Sequence, residues 1–221
     1  MGIAPHHLAW ACCLVPILAT HLAWGWNVQA GLIEACNPYL DGCTSISRAA
    51  RTGNALFLFR PLMLPYCLLL AAFWWLTASW FGLRLGQRPR RATAAAVLGT
   101  IAAAFLALYV TFLGEEGDTA RFLRRYGINV FFGFTVLAQM LVTSALAGTG
   151  IGTGTRRALT ALCALMLALG LASIPLQHLV ADRDALLNAI EWNYALLMVS
   201  VFALFAGTWR RQHYRLEPRS G

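Results

Sequence analysis

Long apolar stretches separated by short polar segments run along most of the chain. Six of them reach the roughly 20 residues that an α-helix needs to cross the hydrocarbon core of a bilayer. We place these spans at 8–26, 56–80, 92–113, 128–147, 158–176 and 190–209. Unpaired backbone groups are too costly in lipid for such spans to be anything but helical. The pattern predicts an all-α fold, with one six-helix transmembrane domain over residues 1–221.

Composition supports this prediction. Hydrophobic residues make up 59% of the chain and charged residues 12%, whereas soluble domains carry about 25% charged residues. The first span could instead be a cleaved signal peptide. Residues 1–7 hold no Lys or Arg, and the apolar run continues to Trp26, which favours a retained helix.

The distribution of arginine predicts the orientation of the helices. With a cytoplasmic N-terminus, the inner connections and the C-terminal segment hold ten arginines and one acidic residue, Glu217, whereas the outer ones hold seven arginines and eight acidic residues. This bias follows the positive-inside rule and places both termini in the cytoplasm. All 17 basic residues are Arg. Because they lie in short connections, they are typical of topogenic charge rather than of a nucleic-acid surface.

Tryptophans near the ends of the spans favour the same arrangement, since this residue is enriched at membrane interfaces. The predicted outer markers are Trp24, Trp26 and Trp192, and the inner ones Trp10, Trp80 and Trp209.

The longest connection, residues 27–55, is predicted to lie outside and contains Cys36 and Cys43. Asn37-Pro38 and Asp41-Gly42 are turn signals between the two thiols. The chain could therefore double back and form a disulfide in an oxidising compartment. Two free thiols and a redox pair are the alternatives.

Hydroxyl groups follow Cys43 in the order Thr44-Ser45-Ile46-Ser47, and Arg48 comes next. Ser45, Ser47 and Arg48 could donate hydrogen bonds to a lipid phosphate. The alternative, which the physics favours, is an N-cap for a short helix that leads into the second span.

Two ionisable residues, Arg60 and Glu191, lie at the outer ends of the second and sixth spans. Charged groups at membrane depth usually face the bundle and pair. We expect Arg60 and Glu191 to pair or to line one outward-facing cavity, and a purely structural ion pair is an equal contender. Pro61 and Pro65 favour a kink beside Arg60.

Further polar residues are predicted at the outer level and suggest a hydrated pocket there: His21, Asn129, Gln177, His178, Asn188 and Asn193. Each one alone, like the deeper Gln139, is more often an interhelical hydrogen bond. The chain has no HxxxH or HExxH pattern, so neither a metal nor a cofactor is predicted. No catalytic residue is identified; Glu191 and His178 are the candidates for a general base.

Two other segments have simple interpretations. Residues 114–132 carry acidic residues before Arg124 and Arg125 and predict a short amphipathic interfacial helix, although these arginines could contact head groups. The glycine-rich segment 148–155 lacks the GK[ST] ending of a phosphate loop and is interpreted as a flexible inner turn.

Several short motifs resemble the Frag/DRAM/Sfk family, which includes damage-regulated autophagy modulators, factors that remodel GPI-anchor lipids, and the N-terminal membrane domain of yeast ceramide-remodelling proteins. The matching positions are Thr44, Ser45, Ile46, Ser47, Gly53, Phe59, Arg60, Tyr126, Gly127, Phe131, Phe132, Glu191 and Trp192. The chain departs from the pattern at Thr44, where Pro is common, and at Arg124-Arg125, where a His often precedes the glycine.

The resemblance implies work on lipids at the extracytoplasmic leaflet. We therefore expect a membrane protein that binds or helps remodel a phospholipid or glycolipid, with Ser45, Ser47, Arg48, Arg60 and Glu191 at the head group. A small-solute transporter or channel and a non-catalytic scaffold or regulator are the rival hypotheses. Expected partners are membrane lipids and, as a further option, a second copy or another membrane protein. The lysine-free composition favours a bacterial inner membrane.

Overall fold

The computed structural model describes residues 4–215 and contains seven α-helices in this part of the chain. Glu217 and Arg219, used above in the charge argument, lie outside the described residues. The helices are α1 (His6–Gln29), α2 (Ile46–Arg51), α3 (Ala55–Leu85), α4 (Arg90–Phe112), α5 (Asp118–Ser144), α6 (Thr153–Leu176) and α7 (Arg183–Arg211). All except α2 are long and apolar enough to cross a membrane, which confirms the predicted six-span, all-α fold.

The long helices form a ring in chain order. Each of α1, α3, α4, α5 and α6 packs against the next, and α7 closes the ring against α1. The start of α1 and the end of α7 lie at one end of the bundle, where they border a common cavity. We call this the arginine-rich end, and the opposite end, with residues 30–45, the loop end.

Aromatic side chains fill the space between α3 and α7. Phe73 packs edge-on against Phe202 with ring centroids 4.9 Å apart, and Trp209 lies 5.4 Å from Phe73. Trp74 packs beside them against α4, where Gly99 leaves room for its indole ring. A Cβ atom on Gly99 would collide with that ring, so this glycine sets the approach of α4 to α3.

Two helices, α5 and α7, begin at least seven residues earlier than the apolar pattern predicts. Helix α5 starts at Asp118 rather than at 128, and α7 starts at Arg183 rather than at 190. The predicted interfacial helix before the fourth span is therefore wrong, because these residues form the first turns of α5 itself. Each helix has an aspartate in its first turn, where a negative charge is favourable.

Three of the tryptophans predicted to mark the interfaces are buried inside the protein instead. Trp80, Trp192 and Trp209 are at most 1% exposed, whereas Trp10 and Trp26 remain accessible to a surrounding bilayer. The level of each residue along its span does not determine whether it faces lipid or protein. Many of the exposed large apolar residues are leucines, and on α6 no residue after Met166 is buried.

Two further segments are the glycine-rich one before α6 and the part of α3 that contains prolines. Residues 145–152 form turns and irregular structure before α6, whereas residues 153–155 of the glycine-rich segment belong to the first turn of α6. Helix α3 is continuous through Pro61 and Pro65, both of which are exposed on its surface.

Candidate functional site

The disulfide Cys36–Cys43 closes a small loop at the loop end, as predicted. The turn inside it is held by its own polar groups: the Asn37 amide donates to Asp41 Oδ2 at 2.8 Å, and the Asp41 amide donates to the Asn37 carbonyl at 2.8 Å. The predicted turn signals therefore form one compact structure between the cysteines.

Three side chains of α7 bind the backbone of this loop. Asn188 donates to the carbonyl of Gly42 at 2.8 Å, Trp192 to that of Thr44 at 2.9 Å, and Asn193 to that of Tyr39 at 2.8 Å. Gly42 has a left-handed φ of 62° and lies against the Ala185 carbonyl with no room for a Cβ atom. The loop is thereby fixed along the N-terminal part of α7.

His21 of α1 contacts the same loop. Its Nδ1 atom is 2.7 Å from the carbonyl oxygen of Ile17, so Nδ1 carries the proton and Nε2 accepts from the Tyr39 hydroxyl at 3.1 Å. Burial raises the pKa of Tyr39, which keeps this hydroxyl protonated as a donor. Both ring nitrogens of His21 are thus engaged within the protein.

Helix α2 begins immediately after the disulfide loop. The Ser45 side chain accepts from the Arg48 amide at 3.0 Å and is the N-cap, as the alternative interpretation predicted. Two residues on, the Ser47 amide donates to Glu191 Oε1 at 3.3 Å. This contact joins the start of α2 to α7 across 144 residues of sequence.

Further polar groups lie near the Ser47–Glu191 contact, around Tyr109. Tyr109, near the end of α4, lies beside Ser47 and Glu191, and Arg51 and Arg124 are close enough to act on its hydroxyl electrostatically. Arg51 also acts on Glu191. We call Ser47, Arg51, Tyr109, Arg124 and Glu191 the outer cluster. It combines a carboxylate, two hydroxyls and two guanidinium groups from four helices.

The predicted Arg60–Glu191 ion pair is wrong. Arg60 Nη2 lies 3.0 Å from Glu115 Oε1 and also donates to the carbonyl oxygens of Thr111 and Leu113 at the end of α4. Arg124 Nη1 donates to the carbonyls of Phe112 and Glu115. The last carbonyls of a helix lack partners and carry partial negative charge, so they attract both arginines.

Arg48 points to a different place from the other predicted site residues. It lines a recess of about 590 Å³ outside the disulfide loop, together with the carboxylates of Glu34, Asp41, Asp182 and Asp184. Of the predicted pocket residues, only Asn188 lines this recess.

The remaining predicted polar residues do not join a common pocket. His178 is exposed in the turn after α6, Asn129 is exposed on α5, and the Gln177 side chain donates to the nearby Ile174 carbonyl. Gln139 is buried and donates to the Met198 carbonyl of α7 at 2.9 Å, which is the interhelical hydrogen bond expected at such a position. The pocket prediction failed because His21, Asn188 and Asn193 bind protein groups.

Sequence reasoning missed Tyr109 and Arg51. Tyr109 lies inside an apolar span among hydrophobic neighbours, although it is one turn from the C-terminal end of that span. Arg51 follows Ser47 by four residues, the spacing that places two residues on the same face of a helix. That spacing was the signal in the sequence that could have placed Arg51 beside Ser47.

Within residues 4–215, no group of three or more His, Cys, Asp or Glu residues is arranged to hold a metal ion. Comparison of the chain with protein-family models, curated proteins and solved structures gives no match.

Proposed function

We propose that this membrane protein binds the head group of a phosphate-bearing lipid in the extracytoplasmic leaflet, at the outer cluster. The observation that carries the proposal is the contact between Ser47 and Glu191, with Arg51 near Glu191 and Tyr109, and Arg124 near Tyr109, at the loop end of the bundle. Guanidinium groups bind phosphate through charge-assisted hydrogen bonds, and hydroxyls complete its coordination. Glu191 would accept a hydrogen bond from a head-group hydroxyl or ammonium.

The residues of this site differ in part from those expected from the sequence. Ser47 and Glu191 are retained and Arg51, Tyr109 and Arg124 are added. Ser45 caps α2, and Arg60 pairs with Glu115 rather than with Glu191. If the bound lipid is also remodelled, Glu191 is better situated than the exposed His178 to act as general base.

We also propose membership of the Frag/DRAM/Sfk family, which accords with this function. Several residues that carry the resemblance, distant in sequence, meet at the loop end: Thr44 accepts from Trp192, and Ser47 binds Glu191. Gly127 lets α5 approach Tyr109, because a Cβ atom there would stand 3.1 Å from Tyr109 Cβ. The motif positions thus build one structure around the proposed head group. The lysine-free composition of the chain also accords with a bacterial inner membrane.

Photo-crosslinking tests the site directly. The purified protein, in nanodiscs of phosphatidylcholine, is exposed to phosphatidylglycerol with a photoreactive head group, and the crosslinked peptides are identified. We expect crosslinks in residues 44–51 and 185–194. The double variant Arg51→Gln/Glu191→Gln should lose most of this labelling, whereas Arg183→Gln, at an exposed position at the same end, should keep it. Equal labelling of all three proteins would refute the proposed site.

Remodelling needs a separate measurement, since binding does not imply turnover. The lipid composition of a deletion strain is compared with that of the same strain carrying the wild-type gene or Glu191→Gln. Remodelling predicts that only the wild-type gene restores the original lipid profile. A profile unaffected by the deletion would remove remodelling and leave binding to be judged by crosslinking.

A further inference from the structure

A second cavity lies at the arginine-rich end, remote from the outer cluster. Its volume is about 550 Å³, and it is bordered by the start of α1 and by the residues that end and follow α7. His6, Arg210, His213 and Arg215 supply basic side chains to its lining, with Trp209 and Tyr214 beside them. The two ends of the described chain therefore contribute to one concave, basic surface.

The segment after α7 is fixed by side-chain contacts. Tyr214 is buried, packs edge-on against Trp209 at 5.4 Å, and donates its hydroxyl to the Leu76 carbonyl at 3.3 Å. Gln212 accepts from the Trp80 indole at 3.2 Å and from Arg84 at 3.1 Å. His213 between them adopts a left-handed φ of 50°, which turns the chain towards the cavity. The basic side chains thus project from an ordered scaffold.

The charge of this cavity is not balanced by the described part of the protein. None of the residues from 4 to 215 that line it is Asp or Glu. Arg211, which also reaches its wall, donates to Thr155 Oγ1 of α6 at 3.3 Å and adds a further positive charge. Clustered like charges repel in a concave space, and an anion relieves that repulsion.

Topogenic charge alone does not require such a cavity. Arg90 and Arg91 at the start of α4, and Arg156 and Arg157 in the first turns of α6, supply basic charge at the same end on surface outside the cavity. Arg210 and Arg215 differ from these four arginines because they line the cavity together with the imidazoles of His6 and His213. This arrangement suits a tetrahedral phosphate, which accepts hydrogen bonds from several directions.

We propose that this cavity is a phosphate-binding site at the cytoplasmic surface. The phosphate belongs either to the head group of an anionic lipid in the inner leaflet or to a soluble phosphate ion, since both present the same oxygens. The site is independent of the proposed extracytoplasmic function and stands if that function fails.

The test uses the whole protein and two charge-matched variants. Arg210→Gln/Arg215→Gln removes two charges from the cavity, and Arg90→Gln/Arg91→Gln removes two outside it. One arm titrates inorganic phosphate into protein in neutral detergent by calorimetry. The other measures, by native mass spectrometry, phosphatidylglycerol retained from mixed micelles. Because the cavity variant loses two charge-assisted contacts, it should bind roughly tenfold or more weakly in at least one arm.

The two arms identify the source of the phosphate. A response in the calorimetric arm indicates a soluble anion, and a response confined to the lipid arm indicates a head group. Lack of wild-type binding in both arms, or equal weakening by the two variants, would overturn the proposal. Should the cavity variant unfold at a lower temperature than wild type, His213→Asn replaces it, because Asn tolerates a left-handed backbone. Unchanged affinity of a folded His213→Asn protein would then overturn the proposal.

Discussion

The indole N–H of Trp192 donates to the carbonyl oxygen of Thr44 at 2.9 Å, and both residues are almost fully buried. Through this bond α7 holds the segment between the disulfide and α2, from which Ser47 reaches Glu191. The position of the outer cluster therefore depends on a contact that lies next to it.

Replacing Trp192 by Phe keeps most of the apolar surface and removes the donor. The Thr44 carbonyl then stays buried without that donor, which costs about 1–3 kcal/mol. We expect a lower unfolding temperature and faster hydrogen exchange of the amides in residues 44–51. Trp75→Phe on the lipid-facing side of α3 is the control, since 43% of Trp75 is exposed. If the two variants behave alike, the bond does not hold the loop.

Gly99 offers a test of how closely α3 and α4 pack. Ala at this position would force the Trp74 indole to move, and such overpacking costs about 1–3 kcal/mol. Gly133 is the matched control, because it is also within a helix and a methyl group there would meet no other side chain within 4 Å. Gly133→Ala should leave stability unchanged or raise it by up to about 1 kcal/mol. The measurement is thermal unfolding in detergent; equal effects of the two substitutions would contradict the packing.

We predict that the hydrogen bonds from Arg60 to the carbonyls at the end of α4 stabilise the fold more than its ion pair with Glu115 does. Arg60→Gln removes charge-assisted bonds to two carbonyls and should cost about 1.5–3 kcal/mol. Glu115→Gln weakens a largely exposed ion pair, which is worth about 0–1 kcal/mol. Thermal unfolding of the two variants in the same detergent measures the difference, and a larger loss for Glu115→Gln would contradict this order.

A double-variant experiment tests whether Arg60 pairs with Glu191, as the sequence suggested, or only with Glu115, as the structure shows. Unfolding of Arg60→Gln, Glu191→Gln and the double variant should give additive effects, because these side chains form no pair. A coupling between Arg60 and Glu191 that exceeds the coupling between Arg60 and Glu115 would contradict the structure.

The apolar pattern was enough to predict the six long helices, because a long uncharged segment in lipid must satisfy its own backbone hydrogen bonds and therefore forms a helix. It failed for the first turns of α5 and α7, because charged residues interrupt the apolar pattern there. The cysteine pair was predictable because the thiols are seven positions apart with two turn signals between them. The partner of Arg60 was not, because depth along a helix says nothing about its rotation. Only the assembled ring of helices shows that Arg60 contacts Glu115 and the carbonyls of α4 rather than Glu191.

The disulfide predicts the number of reactive thiols in the unfolded chain. Without reductant, a maleimide should label four cysteines, those at positions 12, 13, 67 and 163, and after reduction it should label all six. The reagent is added in denaturant, because the four thiols are buried in the folded protein. Six labelled cysteines before reduction would show that Cys36 and Cys43 are not bonded.

An extracytoplasmic lipid site requires above all that the loop end face away from the cytoplasm. Thr119→Cys at the loop end and Gln87→Cys at the arginine-rich end replace exposed residues, and each is treated with a membrane-impermeant maleimide in right-side-out vesicles. We predict that Thr119→Cys is labelled at once and Gln87→Cys only after the membrane is opened. Labelling of Gln87→Cys in sealed vesicles, with Thr119→Cys protected, would invert the topology and contradict such a site.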